Sequence, residues 1–237
     1  FNIKFQNVKF SYSSEKSKSI GPLNFELPEK YLLNIQGSSG SGKSTCIDLI
    51  LGLIKPTSGY RKYSKEPFKD NENQTYYDLS TRQLQSHFAK IAYAGQKNFF
   101  PSTTLRNYLR TDKKLNLSNF YKFLKVLDLT DWFISLNYGL DTELINGASN
   151  LSGGQRQRLA ILRCLLMNPY SLILDEATTG IPLELEMSIV KYICRKSLAS
   201  KIIFISHSTL LQESIVKFTN LPFYQLNLDN NNFYKKK

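Results

Sequence analysis

The amino-acid sequence predicts an α/β fold in which helices cover both faces of a largely parallel sheet. Short runs with the length of strands alternate along the chain with segments whose apolar residues recur at helical spacing. Hydrophobic residues make up 41% of the 237 residues, which is enough for a sizeable core. Strands that alternate with helices form parallel sheets covered on both faces, so these observations favour this class of fold.

The expected elements follow one another in a regular order. Residues 3–12 alternate apolar and polar side chains, as a half-buried strand does, and four shorter runs are further strands. The polar segment 61–80 is expected to be an insertion or a mobile loop, and a polar tail follows residue 207. The shorter strands are expected at 31–36, 90–96, 171–176 and 201–207, and the helices at 44–54, 103–137 in short pieces, 155–167 and 183–198.

Composition limits the classes of function. The three cysteines, Cys46, Cys164 and Cys194, form no CxxC or Cys/His cluster, which is typical of buried thiols rather than of a zinc site or disulfides. No apolar run approaches the roughly 18–20 residues that cross a bilayer. The sequence has no pattern of a signal peptide. Because it begins at Phe1 rather than at a methionine, we expect it to have been cut or trimmed from a longer protein.

The formal net charge is +12. A charge of this sign permits nucleic acid, an anionic membrane surface or nucleotides as partners. Because the lysines are scattered rather than gathered in one block, a generally basic solvated surface is the simpler interpretation. A membrane surface is the best functional alternative.

A glycine-rich loop at residues 37–44 carries the strongest chemical signal. It matches the pattern G-x-x-x-x-G-K-[ST] between a predicted strand and a predicted helix, which is the context of a phosphate-binding P-loop. Its backbone N–H groups and the following helix N-terminus suit phosphate oxygens, with Lys43 on the β- and γ-phosphates and Ser44 on Mg²⁺. The predicted nucleotide-binding residues of this loop are Gly37, Ser38, Ser39, Gly40, Ser41, Gly42, Lys43, Ser44 and Thr45.

Two acidic residues follow the apolar run at 171–174. Asp175 comes at the carboxyl end of a predicted buried strand, where doubly wound sheets bind ligands, and its carboxylate can hold the Mg²⁺ shell. Glu176 points differently and could accept a proton from an attacking water. The alternative is a merely solvated strand end, but the P-loop upstream favours a catalytic pair.

These motifs stand in the order found in ATP-binding cassette (ABC) transporters, and the chain resembles their nucleotide-binding domain over nearly its whole length. The sequence Leu-Ser-Gly-Gly-Gln at 151–155 matches the family's signature, here named the signature loop. Gln96 matches the family's Q-loop glutamine, and His207 matches its strand-end histidine. Tyr12 matches the aromatic residue that stacks on adenine.

The resemblance implies one ABC domain over residues 1–237. Its P-loop NTPase (RecA-like) core with an antiparallel β subdomain would comprise approximately 1–95 and 156–237, and an inserted α-helical subdomain approximately 96–155. In this family two cassettes pack head to tail, and each signature loop covers the ATP in the other cassette's P-loop. The signature residues that would contact this nucleotide are Ser152, Gly153, Gly154 and Gln155, which precede a predicted helix.

The resemblance also implies roles for individual residues, with ATP and Mg²⁺ as the bound groups. Glu176 would be the general base, Gln96 would reach Mg²⁺ and the water, and His207 would contact the γ-phosphate together with Lys43. The metal set would then be Ser44, Gln96 and Asp175. His87 matches no motif and is expected to be a partly exposed helix histidine.

The segments 99–109 and 146–161 resemble the exporter branch, in which the cassette is fused behind transmembrane helices. The implied partners are therefore a second cassette, identical or not, and a transmembrane domain that docks around residues 96–110 at the cytoplasmic face of a membrane. Peptides, proteins or lipids would be the cargo, and no nucleic-acid partner is expected.

Two departures from the family occur in loops that connect subunits. After Glu176 the family continues Ala-Thr-Ser-Ala-Leu-Asp, whereas here the aspartate is replaced by Pro182, which lacks an N–H and has a fixed φ. Exporters usually carry an acidic residue where Asn146 aligns. These changes predict a cassette that binds and hydrolyses ATP with unusual or weakened coupling.

Two other functions stay open at this point. A soluble ABC ATPase that acts on nucleic acid or ribosomes is permitted by the charge, although such proteins usually carry tandem cassettes or a coiled-coil insertion. A regulatory nucleotide-binding module with little turnover is favoured by Pro182 and disfavoured by Glu176.

Overall fold

The structure is a computed structural model that describes residues 1–12, 19–68, 90–109, 116–196, 198–206, 215 and 217–236. The described strands are β1 (Asn2–Phe10), β2 (Ile20–Leu27), β3 (Tyr31–Gln36), β4 (Ser58–Ser64), β5 (Ile91–Ala94), β6 (Thr103–Thr104), β7 (Glu143–Leu144), β8 (Ser171–Asp175), β9 (Lys201–Ile205), β10 (Phe223–Asn227) and β11 (Asn232–Lys236). The described helices are α1 (Lys43–Leu51), α2 (Leu105–Leu109), α3 (Leu117–Val126), α4 (Thr130–Ile134), α5 (Gly153–Leu166) and α6 (Leu183–Lys196), with a 3₁₀ turn at Gly139–Asp141.

A six-stranded sheet in the order β11-β10-β3-β9-β8-β5 forms the centre of the molecule. Its strands are parallel except for β11, which pairs antiparallel with β10. Every residue of β8 and β9 is buried, as expected for apolar strands with both faces covered. The predicted α/β class is confirmed.

A separate antiparallel sheet, in the order β2-β1-β4, covers one side of the central sheet. Apolar side chains from β1 and β2 pack with those of α1 and β3 in one buried cluster, which encloses the helix that follows the P-loop. The P-loop therefore leaves a central strand and enters a helix held between two sheets.

The second buried cluster joins the other face of the central sheet to α2, α3, α5 and α6. Helix α5 carries six buried core residues between Leu159 and Leu165, and Asn168 beyond its end has a positive φ of 46° that stops the helix. The three cysteines are free and buried, which confirms the expectation for their side chains. Within the described ranges, no helix is both long and apolar enough to cross a membrane.

Several expectations for polar segments were wrong. Residues 61–64 belong to strand β4, where Arg61 donates to the carbonyls of Leu49 and Ile54 and so joins the sheet to the end of α1. The expected polar tail contains β10 and β11, of which β10 lies next to β3 in the central sheet.

Residues 103–104, at the start of the expected helical region, form a short strand rather than a helix. The part of the expected loop at 69–80, and His87, lie outside the described residues.

Candidate nucleotide-binding site

The P-loop joins β3 to α1 at the carboxyl edge of the central sheet. Gly40 and Gly42 have φ values of 75° and 92°, a backbone conformation that favours glycine. A Cβ atom on Gly42 would lie 2.3 Å from Cδ1 of Ile20, so a larger residue there would have to push the Ile20 side chain aside. The turn therefore favours glycine at both positions, and Gly42 also leaves room for the Ile20 side chain.

Lys43, the first residue of α1, is buried, and its ammonium group lies inside the turn of the loop. Its Nζ donates to the carbonyl oxygens of Gly37 at 3.0 Å and Ser38 at 3.1 Å. The same nitrogen lies 3.8 Å from Oε1 of Glu176. A cation in the turn is placed to meet the negative charge of a phosphate group.

Ser44 and Asp175 join the two halves of the predicted site. The Ser44 hydroxyl donates to Oδ2 of Asp175 at 2.9 Å, although 131 residues separate them in the sequence. A hydroxyl and a carboxylate are the oxygen donors that Mg²⁺ prefers, so this pair fits the metal that the resemblance implies. Nearby, burial and then the charge of Asp175 raise the pKa of Asp48 above its ordinary value.

Glu176 follows β8 with a φ of 53°, a left-handed conformation that few residues other than glycine adopt. Its N–H donates to the carbonyl of Ile205 at 3.3 Å, which ties it to the end of the neighbouring strand. Strained backbone of this kind is concentrated at functional sites. The side chain remains partly exposed on the same side as Lys43.

A cavity of about 660 Å³ collects most of the predicted catalytic and metal residues. Tyr12 lies beside it, since its hydroxyl is 3.2 Å from Oγ1 of Thr45, and its exposed ring packs edge-on against Phe10. The cavity is lined by Ser39, Gly40, Gly42, Lys43, Ser44, Thr45, Tyr93, Gly95, Gln96, Lys97, Asp175 and Glu176. His207 lies outside the described residues. The described catalytic and metal residues thus meet at one cavity, and their individual roles stay predictions.

The signature loop lies apart from this cavity and lines a second one, of about 470 Å³, through Gly153 and Gly154. Ser152 caps helix α5: its hydroxyl accepts the N–H of Gln155 at 3.1 Å, and the Gln155 side chain accepts the N–H of Ser152 at 2.9 Å. A Cβ on Gly153 would meet nothing within 4 Å, so the loop faces open space. Gln96 lines both cavities.

The unusual loop after Glu176 has a compact structure. Gly180, where the family carries alanine, has a φ of 84°. This left-handed backbone conformation is favourable for glycine and strained for alanine. Pro182 is exposed directly before α6, and its carbonyl accepts the N–H of Glu186 at 2.9 Å. The Glu186 carboxylate in turn accepts the Thr178 hydroxyl at 2.6 Å.

Two residues of the site were not identified from the sequence. The Tyr93 hydroxyl donates to Oδ2 of Asp175 at 2.7 Å. Asp229, which follows β10, accepts the Ser38 N–H at 3.0 and 3.1 Å and the Ser38 hydroxyl at 2.9 Å. The sequence could have indicated Tyr93, because it lies three residues before Gln96. It gave no such indication for Asp229, which lies in the segment that was expected to be a polar tail.

Comparison with known proteins identifies the class. The chain belongs to the ABC transporter family, whose model matches residues 20–179. An ATP-dependent lipid A-core flippase of Wigglesworthia glossinidia brevipalpis is 33% identical over 218 residues, which cover 90% of this chain and 36% of the relative. The lactococcin-G-processing and transport ATP-binding protein LagD of Lactococcus lactis subsp. lactis is 31% identical over 210 residues, which cover 87% and 28%. The chain thus spans about a third of the length of these curated relatives.

The fold is also similar to that of a solved structure, a bacterial Atm1-family ABC exporter with ATP bound. The TM-score is 0.73 at 24% identity, and the match covers 97% of this chain and 37% of that chain. This likeness confirms the P-loop NTPase fold with its antiparallel sheet. The family match and the two relatives confirm the resemblance to the exporter branch. The chain is an ATP-binding domain of the exporter type.

Proposed function

We propose that this chain hydrolyses ATP in a head-to-tail dimer of cassettes and thereby drives export through transmembrane domains. The observation that carries the proposal is the hydrogen bond between Ser44 and Asp175, with Lys43 and Glu176 3.8 Å apart beside it. A cation for the phosphates, an oxygen pair that suits Mg²⁺ and a neighbouring carboxylate are the parts that phosphoryl transfer to water requires.

Each side chain has a task in this reaction. Lys43, now held by two loop carbonyls, would exchange them for the β- and γ-phosphate oxygens. Glu176 would accept a proton from the attacking water, which Gln96 would orient. Mg²⁺ held by Ser44, Asp175 and Gln96 would neutralise phosphate charge. These assignments use groups that already line one cavity.

The two ends of the nucleotide would be bound by more distant residues. Tyr12 would stack on adenine, because its exposed ring stands beside the P-loop residue Thr45. His207 would contact the γ-phosphate. The signature residues Ser152 to Gln155 would cover the γ-phosphate of the partner's ATP, since they form the N-terminus of α5 and the space beside Gly153 is open.

The partners would be a second cassette and a transmembrane domain at the cytoplasmic face of a membrane. Residues 96–110 would contact that domain, and the division into a core at 1–95 and 156–237 and a helical subdomain at 96–155 would allow the two parts to move separately. Among the expected cargoes of peptides, proteins or lipids, the two relatives named above, a lipid A-core flippase and a lactococcin transport protein, make lipids and lactococcins the first to test.

The steady-state ATPase rate with Mg²⁺, measured over a range of protein concentrations, tests the proposal. Glu176→Gln serves as the blank, and its rate should fall at least about 10²-fold because it lacks the general base. Glu184→Gln, the same change at an exposed position of α6, is the matched control and should keep the rate. A rate that rises faster than linearly with concentration supports a dimeric ATPase, and a strictly linear rate from chains that are monomeric over the same range contradicts the dimer.

The loop after Glu176 favours a second candidate, a slow regulatory nucleotide-binding module. The left-handed turn at Gly180 and the exposed Pro182 replace the segment that normally links the two sites. This candidate predicts tight ATP binding together with a rate no higher than that of Glu176→Gln. The same titration therefore separates the two functions.

A further inference from the structure

Tyr93 stands at the point where the P-loop and β8 meet, and no motif assigns it a role. Its hydroxyl donates to Oδ2 of Asp175 at 2.7 Å, while the Ser44 hydroxyl donates to the same oxygen at 2.9 Å. Both hydrogen bonds fall on one oxygen, which leaves Oδ1 of Asp175 without a donor among the described residues. Two donors on one oxygen fix the plane of a carboxylate and leave the other oxygen available to a metal shell.

The ring of Tyr93 is itself held in place. A Cβ on the buried Gly95 would lie 2.8 Å from Cε1 of the ring and 3.2 Å from its hydroxyl oxygen, so only glycine leaves room for this orientation. The ring lines the cavity of the P-loop on one side and a groove of about 540 Å³ on the other.

We infer that Tyr93 is a positioning residue for the metal carboxylate, acting through Asp175 on Mg²⁺ rather than on the nucleotide itself. The inference rests on the proposed function, in which Asp175 holds the Mg²⁺ shell. Ligands to a metal are commonly oriented by a further hydrogen bond, and loss of that bond weakens metal binding. Tyr93 supplies this bond from a strand on the far side of β8, so the metal site depends on β5 as well as on the two predicted motifs.

The test compares nucleotide affinity with and without Mg²⁺. Binding of a fluorescent, non-hydrolysable ATP analogue is measured in EDTA and at rising Mg²⁺ concentrations for the wild type and for Tyr93→Phe. The variant should bind as tightly as the wild type in EDTA. Its gain in affinity on adding Mg²⁺ should be about ten- to a hundredfold smaller, which corresponds to the loss of one hydrogen bond to a charged metal ligand.

Two further variants make the outcomes distinct. Tyr108→Phe is the matched control, because the buried Tyr108 lines the same groove and stacks on Phe100 without being hydrogen-bonded to Asp175. Asp175→Asn measures the full contribution of the carboxylate. An Mg²⁺ gain that is reduced in Tyr93→Phe and Asp175→Asn but normal in Tyr108→Phe supports the inference.

The other outcomes overturn it in different ways. A normal Mg²⁺ gain in Tyr93→Phe with a lost gain in Asp175→Asn removes the role of Tyr93 and leaves the proposed function intact. A normal gain in Asp175→Asn contradicts the metal assignment and the inference together. An equal reduction in Tyr93→Phe and Tyr108→Phe, or a loss of affinity already present in EDTA, shows a general disturbance of the groove instead of positioning.

Discussion

The P-loop and the signature loop are both glycine-rich turns that precede a helix, but they are held in different ways. The P-loop receives three carboxylates from distant parts of the chain, those of Asp175, Glu176 and Asp229. The signature loop is held by its own capping box, and Gly153 faces open space. The P-loop is thus surrounded by charged groups of its own chain, whereas the signature loop has open space beside Gly153.

This difference teaches which loop would act within the chain and which would act on another molecule. A helix N-terminus with free N–H groups attracts an anion wherever it comes from. At the P-loop, the ammonium group of Lys43 lies near the Glu176 carboxylate and the Gly37 carbonyl, which stabilise its charge in the absence of a phosphate. Variants of each loop should therefore fail differently, the first in its own site and the second in the site of a partner.

The largest expected effect comes from Lys43→Ala, which removes the cation inside the P-loop. Hydrolysis should fall about 10²- to 10³-fold, and ATP should bind more weakly, because a preorganised electrostatic contact to the phosphates is lost. Lys55→Ala, at an exposed position beyond the end of α1, is the control for the change in charge. Hydrolysis by Lys43→Ala at the wild-type rate would disprove the P-loop assignment.

Ser152→Arg should affect only the partner's site. It should bind ATP normally but hydrolyse about 10²-fold more slowly, because a bulky cation replaces the cap in front of Gly153 and blocks its donors. An equal mixture of Lys43→Ala and Ser152→Arg chains should recover about a quarter of the wild-type rate, since half of the dimers retain one intact composite site. A mixture as inactive as its components would contradict the head-to-tail arrangement.

The sequence predicted the P-loop side of this comparison well because its residues are required by local geometry. A glycine at a left-handed position and a lysine in the first turn of a helix can be recognised from spacing alone. The apolar strands β8 and β9 were recognised for a related reason, since complete burial demands continuous apolar sequence. Motif spacing also located Asp175 and Glu176 at the correct edge of the sheet.

Residues that enter the site through sheet pairing could not be predicted in the same way. Asp229 reaches Ser38, 191 residues away, only because β10 pairs in parallel with β3 and ends beside the loop. The sequences of β10 and β11 contain Gln, Asn and Lys, so they lack the continuous apolar run by which the buried strands were recognised. Tyr93 was overlooked because it belongs to no motif. In the structure it lies on the edge strand β5 with its ring half exposed.

A smaller effect is expected from Pro182→Asp, which restores the family's residue in the loop after Glu176. Pro182 is exposed directly before α6, a position where aspartate is a favourable helix cap, so the variant should fold normally. If the loop limits coupling between the two sites, the ATPase rate at saturating ATP should rise about fivefold with unchanged ATP binding. Leu183→Asp, one residue further on, is the control, and an equal rise in both variants would attribute the effect to charge alone.

The smallest expected effect concerns the attachment of the P-loop to the hairpin between β10 and β11. Asp229→Ala removes three hydrogen bonds to Ser38 and should weaken ATP binding about threefold, since the loop then loses order that binding must restore. The maximal hydrolysis rate should not change, because Asp229 binds the N–H and hydroxyl of Ser38, groups to which no step of hydrolysis is assigned. Asn230→Ala is the matched control, as its side chain accepts the N–H of Asn232 within the hairpin. Calorimetric titration with ATP measures the difference, and equal affinities for the two variants would mean that the P-loop keeps its shape without the hairpin.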